Sequence, residues 1–235
     1  MSRNLFARVA SGRFFWLLVT MVLAIVLAAA CPPGGPFEKW VRSVSVIGIL
    51  LACTYAARGG AIRLLVSLLL NGFLVVVVTF WIINKSPLTE YLLFGTLLAC
   101  LLFALITTLT FVLSGGNIGH DHIYGAICAY VLIAMCFATI YTIQILASHG
   151  AFNGVNTLDP ADRPWEDMFY FSFTTLSTVG YGDITPVGHS ARAVCIVEML
   201  TGTFYVAILI ARLAGLYPPP VTDDQSHPPG KKPGE

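Results

Sequence analysis

The chain has 235 residues, of which 57% are hydrophobic and only 11% are charged, and its mean hydropathy is +0.80. This composition excludes an ordinary soluble domain and indicates a protein that lies in membrane lipid. The formal net charge of +1 gives no support for a nucleic-acid partner, which would need a concentrated basic face.

Long apolar runs follow one another along the chain and predict an all-α membrane protein with six transmembrane helices. Helices are expected because lipid cannot satisfy an exposed backbone, and the alternation typical of barrel strands is missing. The predicted helices cover residues 14–30, 40–57, 62–83, 88–113, 123–146 and 190–213. We expect residues 1–13 to be a cytoplasmic N-terminus, 114–122 a cytoplasmic linker and 214–235 a disordered cytoplasmic tail.

The start of the chain also resembles a secretory or lipoprotein leader. Arg3, Arg8 and Arg13 precede an apolar stretch that ends in three alanines before Cys31, as at a cleavage site. An uncleaved helix is the favoured interpretation, because residues 14–30 are about as long as a bilayer requires. The other five cysteines lie within apolar runs and at no metal-binding spacing, so we expect small buried hydrophobic residues there.

The distribution of Lys and Arg predicts that both termini are cytoplasmic in a cell membrane. In that orientation the loop between the fifth and sixth helices is external. The cytoplasmic side then carries Arg3, Arg8, Arg13, Arg58, Arg63, Arg212, Lys231 and Lys232, and the external side only Lys39, Arg42, Lys85, Arg163 and Arg192.

The external loop contains the hexapeptide TVGYGD at residues 178–183. A pore that passes K⁺ and excludes Na⁺ must replace the water shell of the ion with oxygens, and backbone carbonyls can do so. Directing successive carbonyls at one axis demands unusual backbone angles, which glycine tolerates. Gly180 and Gly182 stand at alternate positions, as this requirement predicts.

The hexapeptide resembles the filter signature of the potassium channel pore family, and the likeness extends over residues 165–217. The resemblance implies a re-entrant pore helix over residues 165–177 and a filter over residues 178–183. A single pore loop in each chain implies a homotetramer. The implied K⁺ ligands are the carbonyls of Thr178, Val179, Gly180 and Tyr181 and the Thr178 hydroxyl, with Gly182 completing the filter and Asp183 at the outer mouth.

The residues around the filter depart from the commoner pattern of this family. Many relatives carry tryptophans where Tyr170 and Phe171 stand, and some carry an acid where Thr174 stands. Tyr170 is therefore a candidate hydrogen-bond partner for Asp183. We expect the filter to be supported from behind by Thr174, Thr175, Ser177 and Glu198.

Glu198 is an acid at membrane depth in the sixth helix, where a charge is costly and a functional role is the default hypothesis. At about 100° per residue it lies roughly 140° around the helix from Thr203, which the family resemblance directs toward the cavity. The favoured interpretation places Glu198 behind the pore helix, hydrogen-bonded to hydroxyls such as Thr174 or Thr175. Cavity lining is the alternative.

The same resemblance directs Val206 and Ile210 toward the cavity with Thr203. Gly202 stands where family members often have a glycine at which the inner helix bends. Helix glycines also serve close packing, so both a hinge and a packing role stay open.

The first four helices, over residues 14–113, contain no arginine voltage sensor. Residues 88–113 include Glu90 but no Lys or Arg, whereas each gating charge contributes about 2.3 kcal/mol per 100 mV. No nucleophile–base pair or phosphate-binding loop indicates an enzyme. The predicted function is passive K⁺ conduction without a cofactor, and the alternatives are a poorly selective cation channel and a non-conducting accessory membrane subunit.

Overall fold

The computed structural model describes residues 12–30, 48–49, 51–55, 57–114, 120–148, 150–155 and 164–214. These residues form helices α1 Arg13–Ala30, α2 Ala61–Ile83, α3 Pro87–Leu113, α4 His120–Ala147, α5 Pro164–Leu176 and α6 His189–Ala214, and strands β1 Phe152–Asn153 and β2 Thr185–Pro186. A 3-10 turn covers Ala57–Gly59, and residues 48–49 and 51–55 are helical. The predicted N-terminus through residue 11, Cys31, most of the predicted helix over 40–57 and the tail from residue 215 lie outside the described residues.

Helices α2, α3, α4 and α6 are long and apolar enough to cross a membrane, and α1 contains a shorter apolar stretch, Phe14–Leu27. Their boundaries lie close to those predicted, because each apolar run stops at residues that favour turns. The chain is a mostly helical, multi-pass membrane protein.

Helices α2 and α3 form an antiparallel hairpin with a short connection. The capping box at Ser86 begins α3: the Ser86 hydroxyl accepts from the Thr89 N–H at 3.4 Å, and the Thr89 hydroxyl accepts from the Ser86 N–H at 3.1 Å. Pro87 occupies the first helical turn, which suits its fixed φ. Midway along the hairpin, the Cys100 thiol donates to the Leu70 carbonyl at 3.7 Å.

Helix α4 is the most buried of the described spanning helices, and the others pack around it. Phe14 and Leu17 of α1 form a core with Cys128 and Leu132 of α4. The helix begins at His120, within the linker predicted over 114–122. Asp121 explains the earlier start, because it suits the positive end of the helix and accepts from the Phe14 N–H at 3.0 Å.

The C-terminal end of α6 is fixed to the neighbouring helix ends. The Arg212 guanidinium donates to the carbonyl of Val112 and, at 3.1 Å, to that of Ser114, where the last carbonyls of α3 lack helical partners. The Tyr205 hydroxyl donates to the Ala126 carbonyl in α4 at 2.6 Å. The starts of α1 and α4 and the ends of α3 and α6 therefore lie on one side of the molecule.

Candidate ion-conduction site

Helix α5 is a short helix that ends directly before the hexapeptide. Pro164 starts it, and Glu166 and Asp167 lie in its first turn, where negative charge suits the helix dipole. Its 13 residues are too few to cross a bilayer. The pore helix was predicted over residues 165–177, one residue later at each end than α5. Ser177 therefore belongs to the turn that follows the helix.

The hexapeptide adopts an alternating backbone conformation. Thr178, Gly180 and Gly182 have left-handed φ angles of 61°, 51° and 81°, whereas Val179 and Tyr181 do not. Alternation of positive and negative φ turns successive carbonyls toward one side of residues 178–182, the filter strand. Within the single chain nothing lies within 4 Å of a Cβ built on Gly180 or Gly182, so the backbone conformation is what requires glycine in each subunit.

The C-terminal end of α5 holds the start of this strand through backbone atoms. The Thr174 carbonyl accepts from the Val179 N–H at 2.9 Å and from the Gly180 N–H at 3.1 Å. The Thr175 carbonyl accepts from the Thr178 N–H at 3.0 Å. The side chains point elsewhere, since the Thr174 hydroxyl donates to the Phe171 carbonyl at 2.9 Å and the Ser177 hydroxyl to the Phe173 carbonyl at 2.6 Å.

Asp183 follows the strand and interacts with Tyr170 of α5. Their side-chain hydrogen bond raises the pKa of Tyr170 and lowers the pKa of Asp183. The Asp183 carboxylate also accepts from the Ile184 N–H at 3.0 Å. The Tyr170 ring stacks on that of Tyr181 at a centroid distance of 6.3 Å, so one side chain contacts both the strand and the acid that follows it.

Tyr170→Phe is expected to raise the pKa of Asp183 toward that of a free aspartate. The lowered pKa means that the interaction stabilises the fold above the ordinary aspartate pKa and is lost as the pH falls through the lowered value. A ¹³C titration of the Asp183 carboxyl measures the change. Tyr91→Phe, the same substitution in α3, is the control, and an unchanged Asp183 titration in Tyr170→Phe would contradict the assignment.

Glu198 lies fully buried between α4, α5 and α6. Its Oε2 accepts from the Tyr141 hydroxyl at 2.6 Å, and its Oε1 is hydrogen-bonded to the Ser172 hydroxyl. The predicted hydrogen bonds to Thr174 or Thr175 were wrong. Ser172 takes their place because it lies on the face of α5 that contacts α4, where its hydroxyl also reaches the Ala134 carbonyl at 2.8 Å.

Sequence reasoning missed Tyr141, which connects the elements behind the strand. Its ring makes edge contacts with Phe152 at 5.3 Å and with Phe171 at 5.2 Å, and those two rings lie 5.4 Å apart. The sequence did contain a signal for this role: a tyrosine lies within an apolar helix, and a buried hydroxyl needs a hydrogen-bond partner.

Helix α6 approaches the end of α5 closely at Gly202. A Cβ at this position would lie 2.4 Å from the Leu176 carbonyl oxygen, so glycine allows the two backbones to meet. Thr203, Val206 and Ile210 are exposed in the single chain, unlike Glu198. Their role in a cavity and a hinge at Gly202 stay predictions.

Backbone hydrogen bonds join the segment before α5 to the segment after the hexapeptide. Strands β1 and β2 pair antiparallel, with Phe152 opposite Pro186 and Asn153 opposite Thr185. The Ala151 carbonyl accepts from the N–H groups of residues 187 and 188 at 2.9 and 3.2 Å. Gly154, with φ of 85°, lies so close that a Cβ would be 2.1 Å from the Asp183 carbonyl oxygen. No sequence pattern predicted this contact.

Comparison with known proteins identifies the family to which this arrangement belongs. The family described as "Ion channel" matches residues 127–217. Protein LctB of Bacillus caldotenax is 31% identical over 126 residues, which are 52% of this chain and 93% of that relative. The chain belongs to the potassium channel pore-loop family.

Several relatives of this family are named as potassium channels. The voltage-gated potassium channel Kch of Escherichia coli is 34% identical over 79 residues, and the hyperpolarization-activated voltage-gated potassium channel of Methanocaldococcus jannaschii is 35% identical over 77 residues. The matched regions cover 34% and 33% of this chain but only 19% and 35% of those channels. No solved structure matches the chain significantly.

Membership of the pore-loop family identifies the chain as a membrane ion channel protein, a non-enzymatic class that needs no cofactor. K⁺ is the permeant ion of the potassium channels in this family. Among the described residues, no group of three or more His, Cys, Asp or Glu side chains could hold a metal ion.

Proposed function

We propose that the chain is one subunit of a homotetrameric, potassium-selective channel that conducts K⁺ passively. The observation that carries the proposal is the alternation of left-handed φ at Thr178, Gly180 and Gly182, since this conformation directs successive carbonyls to one side. Four such strands around one axis would replace the water shell of K⁺ with carbonyl oxygens.

In this function the residues of the hexapeptide have distinct roles. The carbonyls of Thr178, Val179, Gly180 and Tyr181 and the Thr178 hydroxyl bind K⁺, and Gly182 completes the filter. Asp183 lies at the outer mouth. Thr174, Thr175 and Ser177 support the filter through the end of α5, and Glu198 supports it from behind. Thr203, Val206 and Ile210 line the cavity.

The proposed topology has six spanning helices, with α5 re-entering the membrane from outside. Arg212 contacts the end of α3, and the α2–α3 hairpin returns the start of α2 to that same side. Arg58 and Arg63 precede or begin α2, so three cations lie on the side that we propose to be cytoplasmic. The filter then faces outward, with both termini inside the cell.

The alternatives differ in what they predict for the pore. A poorly selective cation channel would keep the strand but lose discrimination between K⁺ and Na⁺. An accessory subunit would keep the fold without conducting. The hydrogen bonds from the end of α5 to the strand favour the selective channel, because they hold the backbone in the alternating conformation.

The test is conduction by the purified chain in liposomes. We expect a reversal potential that follows the K⁺ gradient in mixed K⁺ and Na⁺, and a mass of four chains in native mass spectrometry. Gly180→Asp is expected to abolish the flux. A reversal potential near zero would support the poorly selective channel instead, and K⁺ flux that persists in Gly180→Asp would refute the proposed filter.

A further inference from the structure

Ser172 lies between two oxygen atoms that both form hydrogen bonds with its hydroxyl. Its Oγ is 2.8 Å from the Ala134 carbonyl oxygen and is also hydrogen-bonded to Oε1 of Glu198. A serine hydroxyl has one hydrogen to donate and lone pairs that accept. A carbonyl oxygen can only accept, so the bond to Ala134 uses the serine hydrogen.

The bond between Ser172 and Glu198 therefore needs a hydrogen of its own, and the carboxyl group is its source. The other carboxyl oxygen, Oε2, accepts from the Tyr141 hydroxyl at 2.6 Å. We propose that Glu198 is held as a neutral carboxylic acid, in a hydrogen-bond chain that runs from Tyr141 through Glu198 and Ser172 to Ala134. The Tyr141 hydroxyl also interacts with the Cys195 thiol, which can donate to it.

The surroundings of Glu198 agree with an uncharged acid. The side chain is fully buried, and the ionisable groups that interact with it are Tyr130 and Tyr141 of α4 and Cys195 of α6. Among the described residues, no Lys, Arg or second acid interacts with it. A carboxylate here would be a buried charge without a counterion, which is strongly unfavourable at membrane depth.

The neutral acid makes Glu198 a positioning residue, an inference that rests on the proposed function. It joins α6 to α4 and to the helix whose end holds the filter strand, one turn before Gly202 meets Leu176. Loss of its proton to water would remove the donor to Ser172 and leave a charge among buried hydroxyls. We expect conduction to fall as the pH rises through the titration of Glu198.

Glu198→Gln is the decisive variant, because an amide accepts from Tyr141 and donates to Ser172 as the neutral acid does. We expect its K⁺ flux to stay within about twofold of the native chain and to lose the alkaline inhibition. Glu198→Leu leaves two buried hydroxyls without this partner and is expected to lower flux at least about tenfold. Glu90→Gln, in the first turn of α3, is the matched control for replacing a carboxyl group by an amide.

Infrared spectroscopy tests the protonation state without conduction. At pH 7 the native-minus-Glu198→Gln difference spectrum is expected to contain the carbonyl band of a protonated carboxylic acid, and the native-minus-Glu90→Gln spectrum is the reference for replacing a carboxyl group by an amide. A carboxylate band in its place, or flux in Glu198→Gln as low as in Glu198→Leu, would overturn the inference. If the native chain carries no K⁺ flux, the proposed function fails, and the infrared result still decides the state of Glu198.

Discussion

Replacing Gly180 by alanine is expected to abolish K⁺ conduction while the chain still folds. Within the single chain no atom lies within 4 Å of the added Cβ, so the substitution creates no clash inside the subunit. The left-handed φ of 51° is the constraint, and it costs a non-glycine residue about 1–2 kcal/mol. Summed over four subunits, this cost is about 4–8 kcal/mol, which lowers the population of the conducting conformation by about 700-fold or more.

K⁺ flux into liposomes and the thermal midpoint of the purified protein together test this expectation. Gly72→Ala is the matched control, since Gly72 lies within α2, has no crowding neighbour and lacks a left-handed φ. Alanine within a helix is slightly favourable, so this control should conduct as the native chain does. Native flux in Gly180→Ala would show that the alternating conformation is not required.

The long helices were predictable because their signal is local. The apolar run predicted over 88–113 appears as Pro87–Leu113, and the run over 62–83 as Ala61–Ile83. Strands β1 and β2 were missed because each has only two residues and their pairing joins distant parts of the chain. A contact of this kind leaves no periodicity in either segment.

The candidate site was likewise predictable where the signal is local and unpredictable where the contacts join distant parts of the sequence. The glycines at 180 and 182 were predictable because a row of carbonyls that face one axis requires left-handed φ angles. The position of Glu198, on the opposite side of α6 from Thr203, was predictable from helical geometry. The partners of Glu198 did not follow, because Tyr141 is 57 residues away in sequence and its contact depends on how α4 is rotated. The Thr174 hydroxyl was expected to be a partner of Glu198, whereas it donates to the Phe171 carbonyl and the Thr174 carbonyl contacts the filter strand.

Gly154→Ala is expected to impair the outer end of the proposed filter more than the stability of the fold. The added Cβ would lie 2.1 Å from the Asp183 carbonyl oxygen and 3.2 Å from the Ile184 Cα, so the segment after the filter must shift. The φ of 85° adds strain of about 1–2 kcal/mol. Because Asp183 follows Gly182 directly, the shift reaches the last residues of the proposed filter. We expect reduced selectivity for K⁺ over Na⁺ and faster decay of the current at low external K⁺.

Gly150→Ala separates this effect from a general response to alanine in the same segment. Gly150 has no atom within 4 Å of a Cβ and no left-handed φ, so its substitution should leave selectivity and decay unchanged. Reversal potentials and decay rates at several external K⁺ concentrations compare the two variants with the native chain. If Gly154→Ala matches Gly150→Ala in both measurements, the contact with Asp183 does not position the filter.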